Sequence, residues 1–129
     1  MSIEKSFILI KPDGMINGGV DSAISEITNN GLDINEIKRI KLDTDAVKNF
    51  YPERTRGSFG RVNIDYMTSG DCGLILVNGE NAINEMLDIK GKTYTSGLRL
   101  EYANNFVHNT FHCPDTNEDY QRELNLLIK

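Results

Sequence analysis

The sequence predicts an α+β fold: a βαββαβ sandwich in which helices pack on an antiparallel four-stranded sheet. Two apolar, β-rich runs, Ser6-Phe7-Ile8-Leu9-Ile10 and Gly73-Leu74-Ile75-Leu76-Val77, read as buried central strands. Between and after them lie segments whose apolar residues recur at helical spacing. The coarse order is strand, helix, strand, helices, strand, helix, loop, strand, helix, which fits a layer of helices on a sheet. In that arrangement the helices would cover one face of the sheet. Strand order within the sheet does not follow from these patterns.

The first strand stops at Lys11-Pro12-Asp13-Gly14, a lysine followed by turn chemistry. Gly18-Gly19 precedes a helical pattern over residues 20–29, with Val20, Ile24 and Ile27 at helical spacing and Asn30-Gly31 as its stop. Residues 32–42 alternate imperfectly around Ile34 and Ile37 and read as a second strand. Asp43-Thr44-Asp45 caps a short helix that reaches Tyr51 and ends before Pro52. Residues 53–61 read as an exposed loop, and 64–69 as a helical turn or two stopped by Gly70. After the second strong strand, Asn78-Gly79-Glu80 leads into a helix over 81–89 with Ile83, Met86 and Leu87 on one side. Phe106, Val107 and Phe111 favour an extended segment, and a helix-like run follows Thr116 to Lys129.

A chain of 129 residues is expected to form one domain, 1–129, and to bury about two thirds of its unfolded surface. Its net charge of −5 argues against a nucleic-acid or membrane-surface partner for the chain as a whole. Cys72 and Cys113 form no paired motif, so neither a disulfide framework nor a zinc site is expected, and a reduced cytoplasmic setting is. No apolar run is long enough to span a bilayer, and the N-terminus lacks a signal-peptide pattern.

The chemistry concentrates in Asn109-Thr110-Phe111-His112 and the helix after it. A neutral imidazole near pH 7 is a nitrogen nucleophile that can accept a transferred group covalently. Such a ring needs a group to orient it, and Glu123, about three helical turns further on, is a candidate. From spacing alone, a plain role at a strand end is the stronger reading of His112. His108 and His112 would share a helix face as a metal pair, but the extended reading here separates them, so no metal site is expected. Residues 53–61 carry Arg54, Arg56 and Arg61 with glycines and Phe59, suited to an anionic, ring-bearing ligand or simply to a solvated loop. Lys90-Gly91-Lys92-Thr93 and Arg99 add donors for phosphate. This is not a P-loop, because Met86 stands where the first glycine would be.

Four motifs in order resemble the nucleoside diphosphate kinase family over nearly the whole chain. They are Ile10-Lys11-Pro12-Asp13-Gly14, Tyr66-Met67-Thr68-Ser69-Gly70, Asn78-Gly79-Glu80-Asn81-Ala82, and Asn109-Thr110-Phe111-His112 with Asp115 and Glu123. The resemblance implies a ferredoxin-like sheet and a ping-pong transfer of the terminal phosphate of a nucleoside triphosphate to a nucleoside diphosphate. His112 would carry the phosphate, Glu123 would orient it, and Tyr51 would sit beside it. Lys11 and Asn109 would reach the ribose and phosphate end, Thr93 and Arg99 would bind phosphate oxygens, and Phe59 would stack on the base. Magnesium would arrive on the nucleotide phosphates, and a dimer-based homo-oligomer, a tetramer or hexamer, is implied. The chain departs from the family pattern at Leu87, where a phosphate-binding arginine is usual, and at Gly57-Ser58-Phe59-Gly60. It also departs at the shortened stretch 93–99, at Phe106, and at Cys113-Pro114 after the histidine. Those departures make a catalytically weakened nucleotide-binding or regulatory homologue the alternative. An RNA-binding sheet is a third reading, against which the acidic balance and the lack of paired aromatics on the strong strands count.

Overall fold

The computed structural model describes residues 3–53, 55, 57–92, 95–103 and 109–128, without the side chains of 57–59. Its sheet is built on β1 (Ile3–Ile10), which pairs antiparallel with β3 (Cys72–Glu80) on one side and β4 (Phe111–His112) on the other. The outer side of β3 takes β2 (Asp33–Ile40), also antiparallel, so the order is β2-β3-β1-β4. The two apolar runs are thus the two central strands, as their composition predicts.

Phe7, Ile8, Leu9 and Ile10 are all fully buried, which a sheet with one wet face would not allow. Successive side chains of a strand point to opposite faces, so both faces of β1 must be covered. On one, α2 (Gly19–Asn29) and α5 (Ala82–Lys90) set Ala23, Ile27 and Met86 against Ile8, Ile10 and Ile75. On the other, α3 (Thr44–Phe50), α4 (Gly57–Met67) and α7 (Asn117–Leu127) set Val47, Phe50, Met67 and Leu127 against Phe7, Leu9 and Leu74. The single covered face expected from the order of elements is therefore corrected to two. No helix among the described residues is long and apolar enough to cross a membrane.

Other differences have local causes. Lys11-Pro12-Asp13-Gly14 opens a short helix, α1 (Pro12–Ile16), because a proline in the first turn gives up an N–H that would be unpaired anyway. Asn78-Gly79-Glu80, turn-like in composition, continues β3 opposite Lys5, Glu4 and Ile3. Residues 57–67 form one helix where a loop and a short turn are expected. Gly60 is buried within it, and a Cβ there would stand 2.2 Å from the Thr55 carbonyl oxygen. A further helix, α6 (Gly97–Tyr102), occupies part of the loop after α5. The helix start at Asp43 behaves as read: Asp43 accepts from Ala46 N at 2.8 Å, and Thr116 Oγ1 likewise accepts from Asp119 N at 3.0 Å. The extended residues Phe106 and Val107 lie outside the described residues.

Gly91, which ends α5, has φ +70°, and a Cβ on it would lie 2.0 Å from the Ser96 carbonyl oxygen. Gly91→Ala should lower stability by about 2–3 kcal/mol, a drop of roughly 5–10 °C in the unfolding midpoint. Circular dichroism melts check this, and a wild-type midpoint would mean that the turn from Gly91 to Ser96 shifts freely.

Candidate active site

Antiparallel pairing of β1 with β4 sets Leu9 opposite His112. Lys11, just past the end of β1, therefore meets the residues that lead into β4. Its N–H donates to the Thr110 carbonyl at 2.7 Å, and its ammonium donates to Asn109 Oδ1. The ammonium also lies 5.3 Å from the centre of the Tyr51 ring and 5.9 Å from that of Tyr66. Lys11 is only 1% exposed. Burying a cation is expensive, and here an amide oxygen and two aromatic faces offset part of that cost.

His112 packs edge-on against Phe50 and Tyr51, with ring centroids at 4.9 and 5.5 Å, and 6.3 Å from Phe7. Its side chain is 12% exposed. Nε2 faces Glu123 Oε1 at 2.7 Å. Glu123 reaches the ring because the cap at Thr116 sets the phase of α7, which turns Glu123 and Leu127, four apart, inward together. Arg122 Nη2 stands 3.4 Å from the second oxygen, Oε2. The imidazole is thus clamped between aromatic edges, with one ring nitrogen on a carboxylate.

Burial drives the Glu123 carboxyl up to about 7, with Asp119 and Asp115 adding to the rise and Arg122 and Lys90 opposing it. Above that pH the carboxylate accepts the Nε2 proton; below it Glu123 carries its own proton and the anion beside the ring is gone. Any reaction that uses the imidazole held by this carboxylate should therefore rise with pH through about 7. In Glu123→Gln the rate should be about 10–100-fold lower and that inflection should disappear. Because the carboxyl titrates near 4.3 when unfolded, the stability it lends is full below that value and is lost as pH rises through about 7. Glu123→Gln should flatten that slope. Rate profiles and melts across pH 4–9 test both, and an unchanged inflection would assign it to another group.

Five expected residues converge: Lys11, Tyr51, Asn109, His112 and Glu123. Arg99, on α6, donates from Nε to the Phe111 carbonyl at 2.9 Å and so reaches the backbone of β4. Beside it the Lys90 ammonium is pushed down by burial and by Arg99. Thr93 lies outside the described residues, as do Arg54, Arg56, Phe106 and His108, and so does the side chain of Phe59. Cys113 is wholly buried and its thiol is pushed up to about 12, so it stays protonated and inert. Phe50, Asp13, Tyr66 and Thr110 take part in ways the sequence pattern did not single out. The quoted motifs contained three of them but assigned them no role.

A β2-β3-β1-β4 sheet that sets a carboxylate-held imidazole beside a buried ammonium has the arrangement of a ferredoxin-like phosphotransferase. The family model for nucleoside diphosphate kinase matches residues 4–129, and the chain belongs to the nucleoside diphosphate kinase family. It is 30% identical to the nucleoside diphosphate kinase of Sulfurisphaera tokodaii over 100% of this chain and 91% of that one. It is 31% identical to that of Methanocaldococcus jannaschii over 98% of this chain and 94% of that one. Its fold matches the halophilic nucleoside diphosphate kinase of Halobacterium salinarum, solved in complex with CDP, with a TM-score of 0.86. That match has 23% identity and covers 99% of this chain and 93% of that one. Enzymes of this family transfer the terminal phosphate of a nucleoside triphosphate to a nucleoside diphosphate through a phosphohistidine.

Proposed function

We propose that this chain, acting as one domain over 1–129, catalyses that transfer with His112 as the phosphate carrier. The observation that supports it most is the 2.7 Å pairing of Nε2 with Glu123 beside the buried Lys11. With Nε2 holding its proton toward the carboxylate, Nδ1 is the attacking nitrogen. Its lone pair forms an N–P bond to the terminal phosphorus while the bridging P–O bond breaks, and the nucleoside diphosphate leaves with that electron pair. The ring gains positive charge, which the Glu123 carboxylate balances. In the second half-reaction a terminal oxygen of the incoming diphosphate attacks phosphorus and His112 leaves.

Lys11 and Asn109 serve the ribose and phosphate end, and Arg99 with Thr93 binds phosphate oxygens. Phe59 stacks on the base, and Tyr51 fixes the imidazole edge-on. The donor set suits magnesium carried in on phosphates, since the Glu123 carboxylate is engaged with His112 and Arg122. When bound, the ion neutralises phosphate charge. We place the enzyme in the cytoplasm as a dimer-based homo-oligomer, which sedimentation would measure.

The test uses γ-labelled ATP followed by unlabelled GDP. The expected result is an acid-labile, alkali-stable phosphoprotein that GDP discharges as labelled GTP. A folded chain that takes no label overturns the proposal. One observation favours the weakened homologue: Leu87, on α5 at the family's arginine position, packs half-buried on the core and cannot donate. Nucleotide binding by calorimetry without exchange would select that reading.

A further inference from the structure

We infer that Asp13, Tyr66 and Thr110 form a hydrogen-bonded clasp that positions His112 for phosphate transfer, an inference that rests on the carrier role above. Thr110 is β-branched, yet its φ is +69°, a conformation such residues rarely adopt. The Phe111 N–H donates across it to the Asn109 carbonyl at 2.8 Å, so the chain folds back in a strained γ-turn immediately before β4. An extended run from Asn109 to His112 would span about 10 Å. The turn shortens it, so that Asn109 meets the Lys11 ammonium while His112, three residues on, reaches Glu123.

Strain of this kind persists only where the surroundings over-determine it. Here they do. The Thr110 N–H donates to the Tyr66 hydroxyl at 3.0 Å, and the Thr110 hydroxyl donates to Asp13 Oδ2 at 2.8 Å. The Tyr66 hydroxyl donates to Asp13 Oδ1 at 2.7 Å, which closes a ring that occupies both oxygens of that carboxylate. The Thr110 carbonyl accepts from Lys11 N, which ties the ring to β1. Thr110 is fully buried and Tyr66 is 6% exposed, while Asp13 is half-buried, so the Thr110 side of the ring is shielded from water. Burial and Asp13 together push the Tyr66 phenol far up, which keeps its hydroxyl a donor. Gly14 leaves the space the turn needs, since a Cβ there would lie 2.7 Å from Thr110 Cγ2 and 2.6 Å from Ile10 Cγ2. The Tyr66 ring belongs to the core on the α3, α4 and α7 face, and its hydroxyl reaches out of that core to the turn between Asn109 and His112.

Tyr66→Phe removes two bonds of the ring and keeps the aromatic body. Thr110→Val removes the hydroxyl's bond to Asp13 and its longer contact with the Tyr102 carbonyl at 3.3 Å and keeps the branched shape, whereas Thr110→Ser keeps the hydroxyl. In rapid-quench labelling with γ-labelled ATP, the Phe and Val variants should form phosphohistidine about 10–100-fold more slowly. Their affinity for a non-hydrolysable ATP analogue should change less than about threefold, and the Ser variant should label near the wild-type rate. A Phe or Val variant that labels at the wild-type rate overturns the clasp. So does a loss in Val that Ser shares, or a rate loss matched by an equal loss of analogue affinity. If Tyr66→Phe does not fold, the Val and Ser pair decides alone. No label on the wild-type chain in the same experiment would instead overturn the carrier role, and the clasp with it.

Discussion

His112→Ala should abolish the phosphoprotein and lower transfer by at least about 10⁴-fold, the loss expected when the group that forms the covalent intermediate is removed. Its effect on nucleotide affinity should stay within about threefold, because the imidazole contributes a lone pair to the reaction and no donor to the ground-state phosphates. Stability should fall by only about 1–2 kcal/mol, since what is lost is ring packing against Phe50 and Tyr51. Glu123 would lose its ring partner but keep Arg122 at 3.4 Å, and its carboxyl already favours the protonated form up to about 7. Added imidazole should restore part of the transfer by occupying the space beside Glu123. The chain has one other histidine, His108, so residual labelling above about a hundredth of wild type would point to that residue or to a carboxylate.

Lys11→Met separates activity from stability. Transfer should fall by about 10²–10³-fold, the usual effect of deleting one preorganised donor from a site that stabilises developing charge. Stability should hold or rise. The ammonium is 1% exposed, so its removal relieves a large desolvation cost, against which stand the Asn109 bond, worth about 1.5–3 kcal/mol, and the contacts with the Tyr51 and Tyr66 faces. Quench-flow rates and thermal melts on the same preparation decide the matter. A melting midpoint that falls in step with the rate would make Lys11 a structural residue, and a rate within about threefold of wild type would remove it from the chemistry.

The central strands were legible because two uninterrupted β-rich runs have no other stable use in a chain this short. The helix cap at Asp43 was legible because a short polar side chain before an apolar period has a specific local partner, and the same device at Thr116 emerged with the structure. Both are properties of neighbours in sequence. What they could not show was that helices cover both faces of the sheet, since Phe7 and Leu9 look the same as Ile8 and Ile10 until partners from five helices are assigned to each side. Turn-like triplets also misled at Asn78-Gly79-Glu80, where pairing with β1 outweighed local preference.

The site divides the same way. His112, Glu123, Lys11 and Asn109 could be named because the motifs that hold them resemble the family's, and the structure brings the four together. Thr93 and Phe59, named by the same reasoning, keep that standing as part of the proposal. By itself the sequence determined the fold class and the central strands, and it named the side chains to which the proposal assigns the chemistry. Only the tertiary structure decided that Nε2 is the nitrogen held, that Lys11 is buried, and that Asp13 and Tyr66 brace Thr110. Those facts depend on side-chain contacts between residues 11 to 98 positions apart, and no local pattern encodes which of them meet.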